Sequence, residues 1–377
     1  MGSVGSGERR THHSCDQRPI FIVGASRSGT ELMRSILNSH PSVFISAETH
    51  YFDDLRPGLH GMKRRPTDSE LALLCDKYFG STLNVRYGTM TEPELATITG
   101  PALQEFARSI GTGPDAFFES FCRLQAQQKH ADRWGEKTPR HIYCLPEIFS
   151  AFPQAQVICM VRDPRAVISS YRDWSNSMTF KSEGNSEYHI AHEKNRIQQS
   201  YNIVVACLMW AGSVRAAAEG RKRFGFKRVF IQRYEDLIGN SLSSLATLMN
   251  WLSLEAKPPT SPIQVVNSSF AEGQPASGFS KDSVDRWRKR LTDRETAIIQ
   301  TCCARLMRDA GYASDPAGTS AIRLLGECLT VPFATMRATG ANRQRMGSVR
   351  QYFYRRLRFG LSGVTRGADV THGREPI

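Results

Sequence analysis

The sequence predicts an α/β fold in which helices flank a parallel β-sheet. Short continuous apolar runs, which are typical of strands buried on both faces, alternate with segments of helical periodicity. In addition, a glycine-bounded loop, Gly24–Thr30, joins the first apolar run to a helix. Strands that alternate with helices form parallel sheets with right-handed crossovers. We therefore expect a P-loop-like parallel sheet with a helical insert and a basic C-terminal appendix.

The elements follow in chain order from a polar leader. Residues 1–18 are rich in Gly, Ser and His, and we expect them to be disordered. The four predicted strands are residues 19–24, 43–46, 157–161 and 228–232. We expect the second strand to lie directly beside the first, which leads into the glycine-bounded loop. After the first strand, apolar residues recur at the spacing of one helical face, and a helix through Tyr171 follows the third strand. The core domain is expected to span residues 19–313.

About a hundred residues between the second and third strands have mainly helical patterns. A capping box at Thr91–Glu94 predicts a helix through Arg108, and another helix is predicted over Asp115–Lys129. A second capping box, Thr292–Glu295, predicts a late helix that Gly311 ends. One side of this late helix is expected to carry Ile298, Ile299, Cys302, Leu306 and Met307.

Residues 314–377 are predicted to form a basic C-terminal extension. Between Arg337 and Arg358 the sequence contains seven arginines and no acidic residue, interleaved with aromatic and apolar side chains. This pattern suits an interfacial helix on an anionic surface, either a membrane or a polyanionic acceptor. A solvated tail is the alternative.

Composition favours a polyanionic partner and a reducing compartment. The chain has 49 Lys and Arg against 36 Asp and Glu, and its net charge is +13. That surplus favours nucleic acid, an anionic membrane or a phosphorylated small molecule without choosing between them. The nine cysteines include no C-x-x-C pair and no zinc spacing. Because the leader has no apolar core and the run Ile203–Gly212 is shorter than a bilayer span, we expect a cytoplasmic protein.

The loop Gly24–Thr30, here called the phosphate loop, is suited to hold a phosphate group. Its backbone N–H groups turn toward one point at a helix N-terminus, where the helix dipole adds positive charge. Thr30 stands where a Walker lysine would follow the second glycine, and Glu31 replaces the hydroxyl residue that would hold Mg²⁺. Arg27 supplies the cation instead. An ordinary ATPase or GTPase is therefore disfavoured, and a tight turn without a ligand is the alternative.

Arg162 and Ser170 form a second candidate phosphate site. Arg162 follows a buried strand, and ligands of open parallel sheets gather at the carboxyl ends of strands. Ser170 lies on the following helix, within reach of the same oxygen atoms. A guanidinium group offers forked donors to a phosphate. The alternative is a solvated arginine with a serine inside a helix.

These motifs together resemble those of the PAPS-dependent sulfotransferases, whose donor is 3′-phosphoadenylyl sulfate (PAPS). The loop Arg27–Thr30 is similar to the family's 5′-phosphosulfate loop, and Arg162 with Ser170 is similar to its 3′-phosphate motif. Other similar segments are Glu136–Pro139, Ile231–Leu237 and Ser283–Arg288. The similarity covers roughly residues 19–312. It implies that the residues binding the donor are Arg27, Ser28, Gly29, Thr30, Arg162, Ser170 and Tyr234.

Within that family, the sequence looks most like the tyrosylprotein sulfotransferase branch and its bacterial relatives. Ala47-Glu48-Thr49 lies where that branch carries Glu-Glu-Thr-Arg, so Glu48 matches its catalytic glutamate and His50 replaces the arginine. The resemblance implies that Glu48 is the general base, with His50 as the alternative base. Arg27 and Lys137 are the candidate cations for the charge that develops on the leaving phosphate oxygen.

We therefore expect a sulfotransferase that moves the sulfuryl group from PAPS to a hydroxyl of an acceptor, without a metal or nucleic acid. The acceptor class stays open among small molecules, glycans, lipids and peptide tyrosines. Residues 51–133 and the polar stretch 173–199 are expected to form its pocket and lid. Two alternatives are a small-molecule P-loop kinase that uses ATP and Mg²⁺, and a non-catalytic protein that binds nucleotides or polyanions.

Overall fold

Five parallel strands form one sheet, which confirms the predicted α/β class. The computed structural model describes residues 18–82, 98–176, 187–255, 281–316, 321–343, 349–350 and 354. The strands are β1 (Ile20–Gly24), β2 (Val43–Ser46), β3 (Arg133–Lys137), β4 (Gln156–Val161) and β5 (Val229–Arg233). Their order across the sheet is β2-β3-β1-β4-β5, with parallel pairing throughout.

Helices fill the connections between the strands. The described helices are α1 (Thr30–Asn38), α2 (Arg56–His60), α3 (Asp68–Lys77), α4 (Pro101–Ile110), α5 (Pro114–Gln128), α6 (Leu145–Ala151), α7 (Pro164–Arg172), α8 (Glu187–Ser200), α9 (Ile203–Phe224), α10 (Tyr234–Gly239), α11 (Ser241–Leu252), α12 (Asp282–Asp285), α13 (Asp293–Asp309) and α14 (Ala321–Asn342). Single π-helical turns are present at Tyr51–Leu55 and Tyr78–Thr82, and 3₁₀ turns at Pro139–Cys144, Asp173–Asn176 and Arg286–Lys289.

Both faces of the sheet are buried. Along β1, Phe21 and Val23 point into one hydrophobic core, while Ile20 and Ile22 point into the other. This alternation follows from the period of two along a strand. It explains why the sequence of β1 is a continuous apolar run, since neither face meets water.

The strand β3 was not predicted, and it lies between β1 and β2. The predicted placement of the second strand directly beside the phosphate-loop strand is therefore wrong. The sequence Arg-Trp-Gly-Glu-Lys contains three charged residues, so it lacks the apolar pattern of a buried strand. Arg133 is nevertheless buried, because its guanidinium donates to Arg18 O (2.8 Å) and Leu252 O (2.6 Å). Only glycine fits at position 135, because a Cβ there would lie 2.3 Å from Ile20 O.

Two of the predicted helices are confirmed, and a third is not continuous over its predicted range. Helix α5 matches the prediction for Asp115–Lys129, and α13 begins with the capping box at Thr292. Of the two adjacent cysteines on α13, Cys303 is buried with the apolar side chains, and Cys302, which we had grouped with them, is exposed. The helix predicted from Thr91 is interrupted by a turn at 98–100, so α4 begins only at Pro101. Its predicted capping box lies outside the described residues.

The later elements extend the predicted core. Helix α8 occupies part of the stretch 173–199 that we assigned to a lid, and α14 lies against α8 and α9. Helix α9 is longer than its apolar run suggested, and by length and composition alone it could cross a membrane. Most of it is buried, however, and it packs against β5, α7 and α13. The leader, up to residue 17, lies outside the described residues, as does most of the chain after Asn342.

Candidate functional site

The phosphate loop joins β1 to α1, as predicted. Gly29 is the N-cap of α1, with a φ of 95°, and it has no side chain that could cap the helix. A Cβ at Gly29 would lie 2.5 Å from Cδ2 of Tyr234, so the close approach of this ring requires glycine. The Ser28 hydroxyl donates to Ala25 O (2.6 Å) and closes the loop. The positive end of α1, which begins at Thr30, therefore faces the loop.

Three arginine side chains surround this loop. Arg27 adopts a left-handed backbone conformation (φ 72°), and its Nε donates to Ser170 Oγ (3.0 Å). Arg162 donates from Nη1 to the carbonyl oxygen of Arg27 (3.1 Å). Burial, together with the charge of Arg162, lowers the pKa of Arg27 to about 10, and the same two causes lower the pKa of Arg286. An anion bound between these side chains would relieve their mutual repulsion.

Tyr234 and the late Ser283 segment complete this cluster. The guanidinium carbon of Arg162 lies 4.1 Å from the centre of the Tyr234 ring. The Tyr234 hydroxyl lies 2.6 Å from Ser283 Oγ, and Arg162 Nη2 donates to Ser283 O (2.6 Å). The indole N–H of Trp210 donates to Arg162 O (2.8 Å). The structure thus brings together the seven residues that the sequence assigned to donor binding.

Lys137 lies between two carboxylates. Its Nζ is 2.7 Å from Oε1 of Glu48 and 3.0 Å from Oε2 of Glu31. Burial alone lowers the pKa of Lys137, but these carboxylates outweigh it and raise the pKa. Burial likewise raises the pKa of Glu31, but Lys137 and Arg34 outweigh it and lower the pKa to about 2. This contact exists because β3 ends beside both β1, which leads to Glu31, and β2, which leads to Glu48.

Glu48 is ionised and partly accessible at the mouth of the site. About 32% of its side chain is exposed. Burial raises its pKa, but Lys137 and then His50 outweigh burial and hold the pKa well below the usual range. A carboxylate with a low pKa is a weak base. In the free protein, the contact with Lys137 therefore weakens Glu48 as a base.

His50 is held by three neighbours. Its backbone is left-handed (φ 51°) and precedes the π-helical turn Tyr51–Leu55. Its Nε2 lies 3.2 Å from Oε2 of Glu48, and Arg140 Nη2 donates to its Nδ1 (2.8 Å). Oδ1 of Asp53 lies 3.3 Å from the same Nδ1. Because an arginine only donates, the shorter contact with Arg140 favours Nδ1 as an acceptor and the proton of a neutral His50 on Nε2, toward Glu48. His50 is therefore placed to support Glu48 and is poorly placed to accept a proton at Nε2.

Glu136 fixes the backbone that carries Glu48 and His50. Its side chain is fully buried, and its Oε1 accepts hydrogen bonds from Thr49 N (2.9 Å), Thr49 Oγ1 (2.8 Å) and Thr138 Oγ1. Its Oε2 lies 3.1 Å from Nδ1 of His141. Buried polar groups are costly unless they are hydrogen-bonded, and here the bonds are made to the loop that presents the candidate base. Glu136 is therefore a positioning residue.

A cleft lies beside the phosphate loop, with about 460 Å³ of empty space, including space open to solvent. It is lined by Gly24, Ala25, Ser26, Arg140, Tyr143, Val167, Ile168, Tyr171, Ala206, Met209 and Trp210. Most of this lining is apolar or aromatic. Arg140 connects the cleft to His50 and also contacts Asp53 at 2.9 Å. Arg140 therefore links the lining of the cleft to His50, which contacts Glu48.

Several site residues were missed from the sequence. Glu31 was read only as a replacement, and Asp53, Arg140, Glu136 and Arg286 were given no role. Most of their contacts are with residues distant in the sequence, so local patterns contain little signal for them. The available signal was the quoted segments: Glu136 and Arg286 lie inside them, and Arg140 directly follows Glu136–Pro139. Within the described ranges, no group of three or more His, Cys, Asp or Glu side chains is arranged to hold a metal.

Comparison with known proteins gives one family. A family model described as "Sulfotransferase family" matches residues 19–258. The sulfotransferase domain from the Synechococcus PCC 7002 olefin synthase is 17% identical, with 82% of this chain and 99% of that chain covered and a TM-score of 0.49. A sulfotransferase from Alicyclobacillus acidocaldarius is 18% identical, with 78% and 97% covered and a TM-score of 0.41. A comparison with curated proteins found no match.

Proposed function

The chain belongs to the sulfotransferase family, and from this premise we propose that it transfers a sulfuryl group from PAPS to a hydroxyl of an acceptor. One observation carries the proposal: the arginine cluster at the N-terminus of α1 lies beside the contact between Lys137 and Glu48. A site for a phosphorylated donor, a cation and a carboxylate base therefore meet at the carboxyl ends of β1, β2 and β3. Such strand ends are where ligands of parallel sheets bind.

The arginine cluster fits a donor with two phosphate groups. We propose that the N-terminus of α1 and Arg27 hold the 5′-phosphosulfate end. Arg162 and Ser170 would hold the 3′-phosphate, with the Tyr234 ring stacked on the Arg162 guanidinium. Burial and the charge of Arg162 lower the pKa of Arg27, so this site favours an anionic ligand over a neutral one.

When bound, PAPS would supply the sulfuryl group from its phosphosulfate anhydride, with the phosphate of adenosine 3′,5′-bisphosphate as the leaving group. Arg27 and Lys137 would stabilise the negative charge that develops on the leaving oxygen, as fixed cations do in a site that excludes water. A sulfuryl group carries less negative charge than a phosphoryl group, so a Mg²⁺ clamp is less necessary than in phosphoryl transfer. Lys137 is 4% exposed at its side chain, which limits screening of its charge by water.

Glu48 is the proposed base that takes the proton of the acceptor hydroxyl. Its pKa is low while Lys137 contacts it. If Lys137 moves toward the transferring group, Glu48 loses this partner and its pKa rises toward the usual value of a carboxyl. A carboxylate with a higher pKa is a better base. His50 would keep a hydrogen bond to Glu48 and orient it.

The cleft beside the phosphate loop supports an acceptor whose hydroxyl is carried on an apolar or aromatic body. Its lining includes Tyr143, Tyr171 and Met209, while Arg140 supplies a charged group on the side of His50. Ligand pockets commonly combine an apolar lining with a few polar groups that fix orientation. A phenol or an alkyl alcohol matches this combination better than a free sugar does.

We also propose a reducing, cytoplasmic location. The eight cysteines within the described residues are free, and six of them are buried. Burial raises the pKa of the Cys159 thiol above its usual value, as expected for an inert structural cysteine. Fractionation of cells that express the tagged full chain would test this location.

Calorimetry with two nucleotides tests the donor. We expect adenosine 3′,5′-bisphosphate to bind, and ATP with Mg²⁺ not to bind. Transfer from labelled PAPS should then be screened across phenols, alkyl alcohols, peptides and glycans, with Glu48→Gln as the inactive control. Binding of ATP with Mg²⁺ and not of the bisphosphate would favour a kinase. Binding that is lost with salt and shows no nucleotide preference would favour a non-catalytic polyanion-binding protein.

A further inference from the structure

Helix α14 exposes a row of large apolar side chains. The row consists of Leu325, Leu329, Phe333 and Met336, which are between 60% and 74% exposed. With 3.6 residues per turn, these four side chains fall within about 80° of one another around the helix and extend over about 16 Å. We call them the apolar stripe. Large apolar side chains that are contiguous on a surface mark a site of interaction.

The side of α14 away from the apolar stripe contacts the rest of the protein, and these contacts fix the orientation of the helix. Ala334 is buried there, and Asn202 donates to Thr330 Oγ1 (3.0 Å). Arg337 donates to the carbonyl oxygens of Gln199 (3.0 Å) and Tyr201 (3.3 Å). A surface helix usually turns its large apolar side chains toward the core. In α14 only some of these side chains do so: Leu324 and Val331 pack against the core, whereas the apolar stripe faces outward.

Positive charge accompanies the apolar stripe. Arg343 follows α14 directly, and it lies on the same side as Leu325 by helical spacing. Arg343 and Arg350 are exposed, and so is Tyr354. From Arg337 to Arg358 the sequence contains seven arginines and no acidic residue.

We propose that the apolar stripe docks onto an anionic lipid surface. Helices that lie in a membrane interface combine exposed Leu, Phe and Met side chains with flanking arginines, and anionic headgroups attract those arginines. A second copy of this chain is a poorer occupant. Each copy carries a net charge of +13, and the arginines of both copies would meet across such an interface.

Vesicle sedimentation of the full chain tests this proposal. The probes are phosphatidylcholine vesicles with about 30% phosphatidylserine and vesicles of phosphatidylcholine alone. We expect binding to the anionic vesicles, weakening with salt, and no binding to the neutral vesicles. Leu329→Ser with Phe333→Ser should lower the partition coefficient roughly tenfold or more. Arg343→Gln with Arg350→Gln should also weaken binding and reduce its dependence on salt.

A matched control separates the stripe from apolar surface in general. Leu73 and Leu242 are 67% and 87% exposed on other helices, so Leu73→Ser with Leu242→Ser should leave vesicle binding unchanged. Transfer activity in solution should be unchanged in all three double variants, which also shows that they fold. The proposal is wrong if the wild-type protein does not bind anionic vesicles, or if the stripe variant binds as wild type does. A concentration-dependent dimer that the stripe variant abolishes, without vesicle binding, would assign the stripe to a second copy.

Discussion

Replacing Lys137 tests the charge arrangement at the centre of the site. Lys137→Met keeps the length of the side chain and removes its ammonium group. Glu31 and Glu48 then lose the partner that they share. Glu31 keeps a hydrogen bond from Arg34 (2.8 Å), so its negative charge remains partly balanced. We expect a folded protein that is less stable and that turns over slowly.

The expected loss of stability follows from the pKa of Glu31. Its pKa falls from 4.5 to about 2 in the folded protein. A lowering of about 2.5 units corresponds to about 3 kcal/mol at 1.36 kcal/mol per unit. Among the groups that lower the pKa of Glu31, Lys137 has the largest effect and Arg34 the next largest. The methionine side chain also avoids the cost of burying an ammonium group, which offsets part of the loss. We therefore expect Lys137→Met to lower the free energy of unfolding by about 1 to 2 kcal/mol at pH 7.

The pH dependence distinguishes this ion pair from packing. A carboxyl with a depressed pKa stabilises the fold above its unfolded pKa, and this stabilisation is lost as pH falls through the folded pKa. For Glu31 that window runs from pH 4.5 down to about 2. The difference between wild type and Lys137→Met, measured by urea unfolding, should therefore shrink between pH 7 and pH 3. Lys129→Met, at an exposed lysine, is the control and should change stability little at either pH.

Turnover gives the second measurement on the same variant. We expect Lys137→Met to lower kcat roughly 10²- to 10³-fold, which is the scale for removing one group that stabilises the transition state. Affinity for adenosine 3′,5′-bisphosphate should change little. An equal loss of stability at pH 7 and pH 3 would show that packing, and not the ion pair, causes the effect. Normal turnover would remove Lys137 from the reaction.

Three further predictions concern the donor site and the base. Arg162→Ala should weaken binding of adenosine 3′,5′-bisphosphate by about 2 to 3 kcal/mol; calorimetry should show little change for an analogue without the 3′-phosphate, and equal loss would contradict the assignment. Glu48→Gln should keep that binding and lower kcat by roughly 10² to 10⁴; if only His50→Ala is inactive, His50 is the base. Gly29→Ala should weaken nucleotide binding at least about tenfold, because its Cβ meets the Tyr234 ring. Gly58→Ala, where a Cβ meets nothing within 4 Å, is the control and should bind normally.

The proximity of the residues that we propose for donor binding could be predicted because its determinants are local. The phosphate loop is a strand, a glycine-bounded turn and a helix within a few residues, and Arg162 with Ser170 likewise spans the end of β4 and the helix that follows it. Each motif follows its own strand end. A parallel sheet places strand ends at one edge, so two local patterns suffice to predict one shared site.

The site around Lys137 could be predicted only in part. Glu48 and Lys137 were chosen as single residues, and their direct contact depends on strand order, which no local pattern contains. Glu31 looked unfavourable beside a phosphate loop. In the structure it turns toward Arg34 and Lys137, and its charge is balanced there. Nonlocal ion pairs of this kind follow from topology and not from spacing along the chain.

The C-terminal prediction was limited for a different reason. The arginines from Arg337 onward stand out in the sequence as a basic segment, but Leu325 and Leu329 were not recognised as part of an exposed face. Amphipathic periodicity indicates which residues share a helical face, but it does not indicate which face packs against the rest of the protein. The hydrogen bonds of Arg337 to the end of α8 and to Tyr201 settle that choice.

The position of β3 connects the missed strand with the chemistry of the site. A strand inside a sheet ordinarily avoids charge, because an unpaired buried charge is very costly. Glu136 and Lys137 avoid that cost by pairing across strand ends, Glu136 with the Thr49 backbone and Lys137 with two carboxylates. The same pairs fix the loop that carries Glu48 and place an ammonium group next to it. The charged sequence that concealed β3 as a strand is therefore also what positions the proposed base and its partner.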